Sequence, residues 1–183
     1  QTCALPISPA RAVAENVLAR ASASGKPVIA CFLGAVAADI ERDGVRAAAT
    51  LEQAAAMAVA AARGEAYAAG APRLPHFTAP RLAPGQRYVR GLYSGGTFCY
   101  EATLLLSQTL QDVHSNTPVG NATALADVWH SRGHTLVDLG DDEFTRGRPH
   151  PMIDHRLRNE RLVREAARSE ERRVGKECIS RWW

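Results

Sequence analysis

The feature of this sequence that most constrains its fold is an apolar run that ends in glycine, VIACFLG at residues 28–34. No polar residue interrupts the run, so it lacks the alternation expected of a strand with one side in water. It predicts a strand buried on both faces, which is typical of parallel sheets. A helix is expected before the run, over residues 10–22, and Gly25 is expected to end it.

The rest of the chain continues the pattern of strands followed by helices. Residues 45–50 predict a second short strand, and Thr50 is expected to cap a helix over residues 51–69. A second unit follows, in which residues 114–133 have no regular period. Its expected elements are a strand at 88–94, a glycine turn, a helix at 97–113, a strand at 134–140, a polar loop and a helix at 155–167 capped by Asp154.

These elements predict an α/β protein with parts of two parallel-sheet domains. Residues 71–87 contain four prolines and no period, so they are expected to form a linker. The two ends look like translated sequencing adapters and are expected to be foreign to the fold. The expected segments are a foreign head at 1–8, the C-terminal part of one domain at 9–70, the linker at 71–87, the truncated N-terminal part of a second domain at 88–167, and a foreign tail at 168–183.

Charge and composition exclude several classes of function. The net charge is +3, and residues 168–183 hold five basic and three acidic side chains, so the remainder is nearly neutral. A nucleic-acid partner is therefore not expected. No apolar run approaches the roughly 20 residues of a membrane span, and no signal peptide is evident, so we expect neither a membrane partner nor secretion. Cys31 and Cys99 stand among apolar residues and are expected to be buried thiols in a reducing cytoplasm.

The first candidate site is the glycine pair between the strand at 88–94 and the helix that follows. Backbone N–H groups at such a junction can converge on an anion at the helix N-terminus. Phosphate, pyrophosphate or carboxylate would each suit. The alternative is an ordinary strand-to-helix turn in which one glycine adopts a positive φ. The candidate residues are Ser94, Gly95, Gly96 and Thr97.

The second candidate site is the polar loop after the strand at 134–140. It follows a strand's carboxyl end, where open α/β sheets bind their ligands. Arg146, Arg148 and His150 are candidates to bind a carboxylate or phosphate, and Asp141 or Asp142 to bind a metal ion. The alternative is a solvated loop whose charges pair with one another. We expect both candidate junctions to open onto one shared crevice.

Other polar residues suggest no chemistry. The chain contains no P-loop lysine motif, no nucleophile elbow and no cysteine or histidine spacing that suits zinc. His76 and His114 are expected to be exposed to solvent, and His130 and His134 have no obvious acidic partner. The arginines of the last helix, Arg156 and Arg158, are expected to form its solvated face.

Three segments carry a family resemblance: GLYSGGTFCYEA at 91–102, residues 134–163 and GKPVIACFLG at 25–34. Through them the chain resembles the FdrA family over nearly all of residues 9–167, with His155 where that family has proline. The resemblance implies flavodoxin-like domains of the succinyl-CoA-synthetase type, in a longer protein with fused portions of the two synthetase subunits. It also implies CoA, ATP or Mg²⁺ as cofactors of the full-length protein, and companion subunits.

The resemblance leaves three functions open. The first is an enzyme of the acyl-CoA synthetase and succinyl-CoA ligase superfamily that binds an anionic acyl or phosphate substrate. The second is a subunit of an oxamate carbamoyltransferase in allantoin breakdown, and the third is a non-catalytic scaffold subunit. The synthetases carry a phosphorylated histidine after the strand that VIACFLG resembles, whereas GAVAADIERDG at 34–44 contains no histidine. We expect this stretch of chain to be inactive by itself.

Overall fold

A computed structural model describes residues 10–67 and 86–167. The chain divides into two compact units, residues 1–78 and 79–183. Both units are α/β with parallel strands, as the sequence predicts. The boundary between them falls within the predicted linker at residues 71–87. Residues 71–85 of that linker, which include His76, lie outside the described residues. No helix in the described residues is long and apolar enough to cross a membrane.

Within residues 10–67, the first unit has two parallel strands and three helices, with a small core of Leu18, Ile40 and Val45. Thr50 caps the third helix as predicted, because its side chain accepts a hydrogen bond from Gln53 N at 3.1 Å. In chain order the elements are α1 (Arg11–Ala23), β1 (Val28–Ala30), α2 (Ala37–Ile40), β2 (Val45–Ala47) and α3 (Leu51–Ala62).

Three expectations for this unit are wrong. The strand β1 stops at Ala30 and is half-buried rather than buried on both faces, because among the described residues it has one neighbour, β2. Cys31, at its end, is likewise half-buried. The helix α3 ends at Ala62 instead of continuing to residue 69, since Gly64 turns the chain with a φ of 69°.

The second unit is a four-stranded parallel sheet in the order β3-β6-β4-β5. Its strands are β3 (Arg90–Tyr93), β4 (Val113–Ser115), β5 (Thr123–Ala124) and β6 (His134–Asp138). Its helices are α4 (Gly96–Leu106), α5 (Asp142–Thr145) and α6 (Arg156–Ala167). The helix predicted at 97–113 ends at Leu106, and β4 begins at its last predicted residue, Val113. The rest of β4 and the strand β5 fall where the sequence showed no regular period; both strands are too short for an alternating pattern to be visible.

Helices cover both faces of this sheet. Leu136 packs against Cys99 of α4, whereas its neighbour Val137 packs in a cluster with Phe144 of α5 and Leu157 of α6. Successive residues of a strand point to opposite faces. The helix that follows β3 therefore lies on one face, and the helices that follow β6 lie on the other.

The buried side of α6 differs from the expected one. The apolar Val163 is 67% exposed, whereas the charged Arg161 and Glu165 are buried. Leu157, which packs on the core, Arg161 and Glu165 follow one another at intervals of four residues. The three side chains therefore share one face of the helix. Asp154 caps this helix as predicted by accepting a hydrogen bond from Arg156 N at 3.0 Å.

Two histidines also differ from expectation. His114 is buried in β4, with its Nε2 2.8 Å from Asp112 Oδ1. His130 is exposed as a turn residue, but it does have an acidic partner, since its Nδ1 lies 2.6 Å from Asp127 Oδ2. Sequence proximity alone could have identified both aspartates as partners.

Candidate functional site

The candidate site lies where β3 and β6 end. The two strands are parallel neighbours, and Tyr93 pairs with Asp138 at their carboxyl ends. The chain leaves β3 toward α4 on one face and leaves β6 toward α5 and α6 on the other. Connections that diverge in this way open a crevice between neighbouring strands, which is the usual ligand position in open α/β sheets. The two junctions singled out in the sequence therefore lie side by side at this edge.

The start of α4 forms one wall of the crevice. Gly95 is the N-cap residue, and no side chain caps the helix. The first N–H groups of a helix have no partner within it, so donors remain at this end. Gly95 has an extended φ of −169°, and a Cβ there would meet no atom within 4 Å. Neither glycine of the pair has a positive φ, so the ordinary-turn explanation does not account for them.

Asp138 is the last residue of β6 at this edge of the sheet and is 6% exposed. Asn116 holds its backbone on both sides: Asn116 Oδ1 accepts from Asp138 N at 2.9 Å, and Nδ2 donates to Asp138 O at 3.0 Å. The carboxylate Oδ1 accepts one hydrogen bond, from Gly140 N at 2.8 Å. Burial raises the pKa of Asp138, and the charge of Asp141 raises it further. Loss of hydration thus outweighs the hydrogen bond from Gly140, which acts to lower it.

His150 approaches the same point from the polar loop. Its Nδ1 accepts a hydrogen bond from Met152 N at 3.2 Å, so in the neutral ring the proton is on Nε2. A Cβ at position 140 would lie 2.8 Å from that Nε2 and 3.1 Å from Asp138 Oδ1. A side chain at 140 would displace the imidazole, because His150 and the Asp138 carboxylate occupy that space. The crevice thus presents an N–H donor beside a carboxylate acceptor.

Buried polar side chains surround Asp138 on the α4 side of the sheet. Burial raises the pKa of Cys99 to about 11 and that of Tyr93 to about 12. The negative charge of Asp138 also raises the pKa of Cys99, which lies in the first turn of α4. Thr117 Oγ1 donates to the Cys99 sulfur at 4.0 Å. Cys99 is therefore a protonated, buried thiol rather than a nucleophile.

Fewer charged residues of the loop reach the crevice than the sequence predicts. Arg146 is exposed at the end of α5. The guanidinium of Arg148 lies 5.7 Å from the centre of the Trp129 ring, and Trp129 packs with the cluster on the face opposite α4. The structure therefore brings His150 to the crevice and holds Arg148 on the other face. Ser94 and Thr97 lie at the crevice with the glycines, as half-buried residues.

The two acids proposed for a metal ion have other surroundings. Asp141 caps α5 by accepting a hydrogen bond from Glu143 N at 3.1 Å, and Asp142 is exposed. In residues 10–67 and 86–167, no group of three or more histidine, cysteine or acidic side chains is arranged to hold a metal ion. These side chains do not form a metal site without further ligands, and the metal assignment stays a prediction.

The sequence pattern did not identify Asp138 as a site residue and placed it inside the predicted strand at 134–140. A polar residue that ends an otherwise apolar strand, followed by Leu-Gly, was the available signal. Asn116 gave no such signal, because it follows a strand that the sequence did not predict.

The residues of this site lie within the part of the chain that matches a known protein family. Residues 92–174 match the CoA-ligase family model. The chain is also 39% identical over 163 residues to an Escherichia coli (strain K12) protein named "Uncharacterized protein YahF", an alignment that covers 86% of this chain and 32% of the relative. The chain therefore spans about a third of that relative's length. The second unit is CoA-ligase-like. The matched range reaches residue 174, inside the tail expected to be foreign, so the prediction of foreign ends stays a prediction.

Proposed function

We propose that the crevice between β3 and β6 binds the anionic group of an acyl or phosphate substrate, in an FdrA-type protein of the acyl-CoA synthetase and succinyl-CoA ligase superfamily. One observation carries the proposal: a helix N-terminus with no side-chain cap follows β3, and His150 meets the end of the neighbouring strand β6 at Gly140, both at the carboxyl edge of a CoA-ligase-like sheet. Backbone and imidazole donors fixed in this way stabilise an anion without having to reorganise around it.

Each part of the crevice has a proposed role. The N–H groups at Gly96 and Thr97 bind anionic oxygens, and the hydroxyl of Ser94 adds a further donor. Gly95 lets the ligand approach the backbone closely, which explains a glycine where the backbone conformation does not need one. Arg146 and Arg148 lie outside this contact and attract anions toward the loop as solvated cations.

The cofactors CoA, ATP and Mg²⁺ remain proposals for the whole protein. Anionic phosphate groups of CoA or ATP suit the same donors as the substrate anion. Asp141 or Asp142 would need oxygen ligands from a bound phosphate to complete a Mg²⁺ site, which is how Mg²⁺ is commonly held. Partner subunits and a cytoplasmic location are likewise proposals.

Substitution of Gly95 by aspartate tests the anion site. An aspartate at an N-cap position stabilises a helix by a few tenths of a kcal/mol relative to glycine, and its charge favours the helix dipole by roughly 0.3–1 kcal/mol. The same carboxylate occupies the donors proposed for the ligand. We therefore expect Gly95→Asp to unfold at equal or higher urea concentration, yet to bind inorganic phosphate at least about tenfold more weakly in calorimetric titrations, a loss of about 1.4 kcal/mol.

The matched control is Gln111→Asp, which adds the same charge at an exposed position after α4. Its phosphate affinity should stay close to that of the unmodified 183-residue chain. The proposal is wrong if Gly95→Asp binds phosphate as the unmodified chain does, or if both variants weaken binding equally.

A specific observation favours the carbamoyltransferase alternative. Residues 34–44 form a turn and the short helix α2, and they contain no histidine to carry a phosphoryl group. Direct transfer of a carbamoyl group to phosphate needs no phosphorylated enzyme. Assays of the whole E. coli relative discriminate the alternatives: CoA- and ATP-dependent thioester formation supports the ligase, and carbamoyl phosphate production from an oxamate derivative and phosphate supports the transferase. Activity in neither assay supports the scaffold.

A further inference from the structure

We infer that Asp138 makes the crevice selective for anions that carry a hydrogen-bond donor of their own, such as hydrogen phosphate, over anions without one, such as sulfate. This inference rests on the proposed anion site and narrows its substrate class. It starts from a carboxylate that lies where a negatively charged ligand is expected to bind.

The strand geometry directs Asp138 toward the start of α4. Leu136 packs against Cys99 of α4, and Asp138 is two residues further along β6, so both side chains point to the same face. Asp138 also lies two residues nearer than Leu136 to the carboxyl edge of the sheet, where α4 begins. Its partner in the register, Tyr93, packs in the same cluster as Leu136.

One carboxylate oxygen remains available for a ligand. Oδ1 accepts from Gly140 N, and within residues 10–67 and 86–167 Oδ2 accepts no hydrogen bond from the protein. Buried carboxylates ordinarily have their oxygens satisfied, because loss of hydration without a partner is costly. A donor that reaches Oδ2 must therefore come from solvent or from a bound molecule.

The groups around Asp138 decide what that donor can be. Asp141 faces it as a like charge, Cys99 and Tyr93 are neutral, and His150 presents an N–H beside it. An anion that accepts hydrogen bonds from His150 and the α4 backbone would repel the carboxylate unless it also donates to it. Hydrogen phosphate has an O–H for this purpose. Sulfate has the same charge and shape at pH 8 but has no proton to donate.

Calorimetric titration of the 183-residue chain with inorganic phosphate and with sodium sulfate, at pH 8 and constant ionic strength, tests the inference. We expect phosphate to bind at least about tenfold more tightly, because sulfate places a lone pair against the free oxygen of Asp138 and has no proton to donate to it. In Asp138→Asn the amide can donate to either anion, and its Oδ1 can still accept from Gly140 N. The phosphate preference should fall to about twofold or less.

The matched control is Glu143→Gln, which removes one negative charge from an exposed position in α5. It should shift both affinities alike and leave their ratio unchanged. Equal binding of phosphate and sulfate by the unmodified chain overturns the inference while leaving the anion site intact. An unmodified chain that binds neither anion overturns the anion site itself. The ratio in the unmodified chain decides the question even if Asp138→Asn does not fold.

Discussion

Substitution of Glu165 by glutamine tests the buried ion network that attaches α6 to the sheet. Glu165 is 6% exposed and Arg161 is 2% exposed. Oε1 of Glu165 accepts from Arg161 Nε at 2.7 Å and from Ser131 Oγ at 2.5 Å, and Oε2 accepts from Arg90 Nε at 3.3 Å. Arg161 also donates to Val128 O at 2.9 Å. One carboxylate thus balances two buried guanidinium groups, from α6 and from β3.

The size of the effect follows from that charge arrangement. Glutamine keeps the shape of Glu165 and one carbonyl oxygen, but it removes the negative charge between Arg161 and Arg90. Burial already lowers the pKa of Arg161, and the charge of Glu165 opposes that shift. Removal of one partner from a buried ion pair costs about 3–5 kcal/mol, because the remaining charge is left uncompensated. A loss of this size is comparable to the total stability of a small domain.

Urea unfolding of the 183-residue chain, followed by far-ultraviolet circular dichroism, measures this loss. The matched control is Glu160→Gln, the same chemical change at an exposed position of α6, which should alter the free energy of unfolding by no more than about 0.5 kcal/mol. The triple variant Arg90→Met/Arg161→Met/Glu165→Leu should cost less than Glu165→Gln, because it removes all three buried charges together. Equal effects of Glu165→Gln and Glu160→Gln would refute the reasoning.

Two further predictions concern single titratable groups. His134 Nδ1 accepts a hydrogen bond from Val89 N at 3.0 Å, and burial and then the charge of Arg90 lower the pKa of His134 while Asp112 opposes them. The stabilisation from neutral His134 is therefore complete above the ordinary histidine pKa of about 6.5 and is lost as the pH falls through the lowered value. Urea unfolding between pH 8 and pH 5 should show a smaller pH dependence in His134→Asn, whose side chain can accept the same hydrogen bond; an unchanged dependence contradicts this. Cys99 is fully buried, with a pKa raised to about 11, so iodoacetamide at pH 8 should modify it only in urea. Mass spectrometry of the peptide that contains it measures this, and rapid labelling of the folded chain would contradict the buried assignment.

The elements that local signals define are those that the sequence predicted well. Thr50 and Asp154 were identified as caps because a cap is a hydrogen bond between a side chain and a backbone group two or three residues away. The ends of β3 and β6 were located to within a few residues by the glycines that follow them. Strands β4 and β5 were missed, because their three and two residues are stabilised by neighbours distant in the chain.

In the candidate site too, some features follow from local sequence and others depend on the tertiary structure. The sequence by itself determined the glycine pair, the polar loop and the α/β class, since each depends on residue type and short spacing. Only the tertiary structure decided that Asp138 and His150 meet over Gly140, and that Arg148 is held on Trp129 instead. These contacts depend on which strands are neighbours and which face each side chain takes. A shift of one residue in strand register would exchange the faces, and no local pattern in the chain specifies that register.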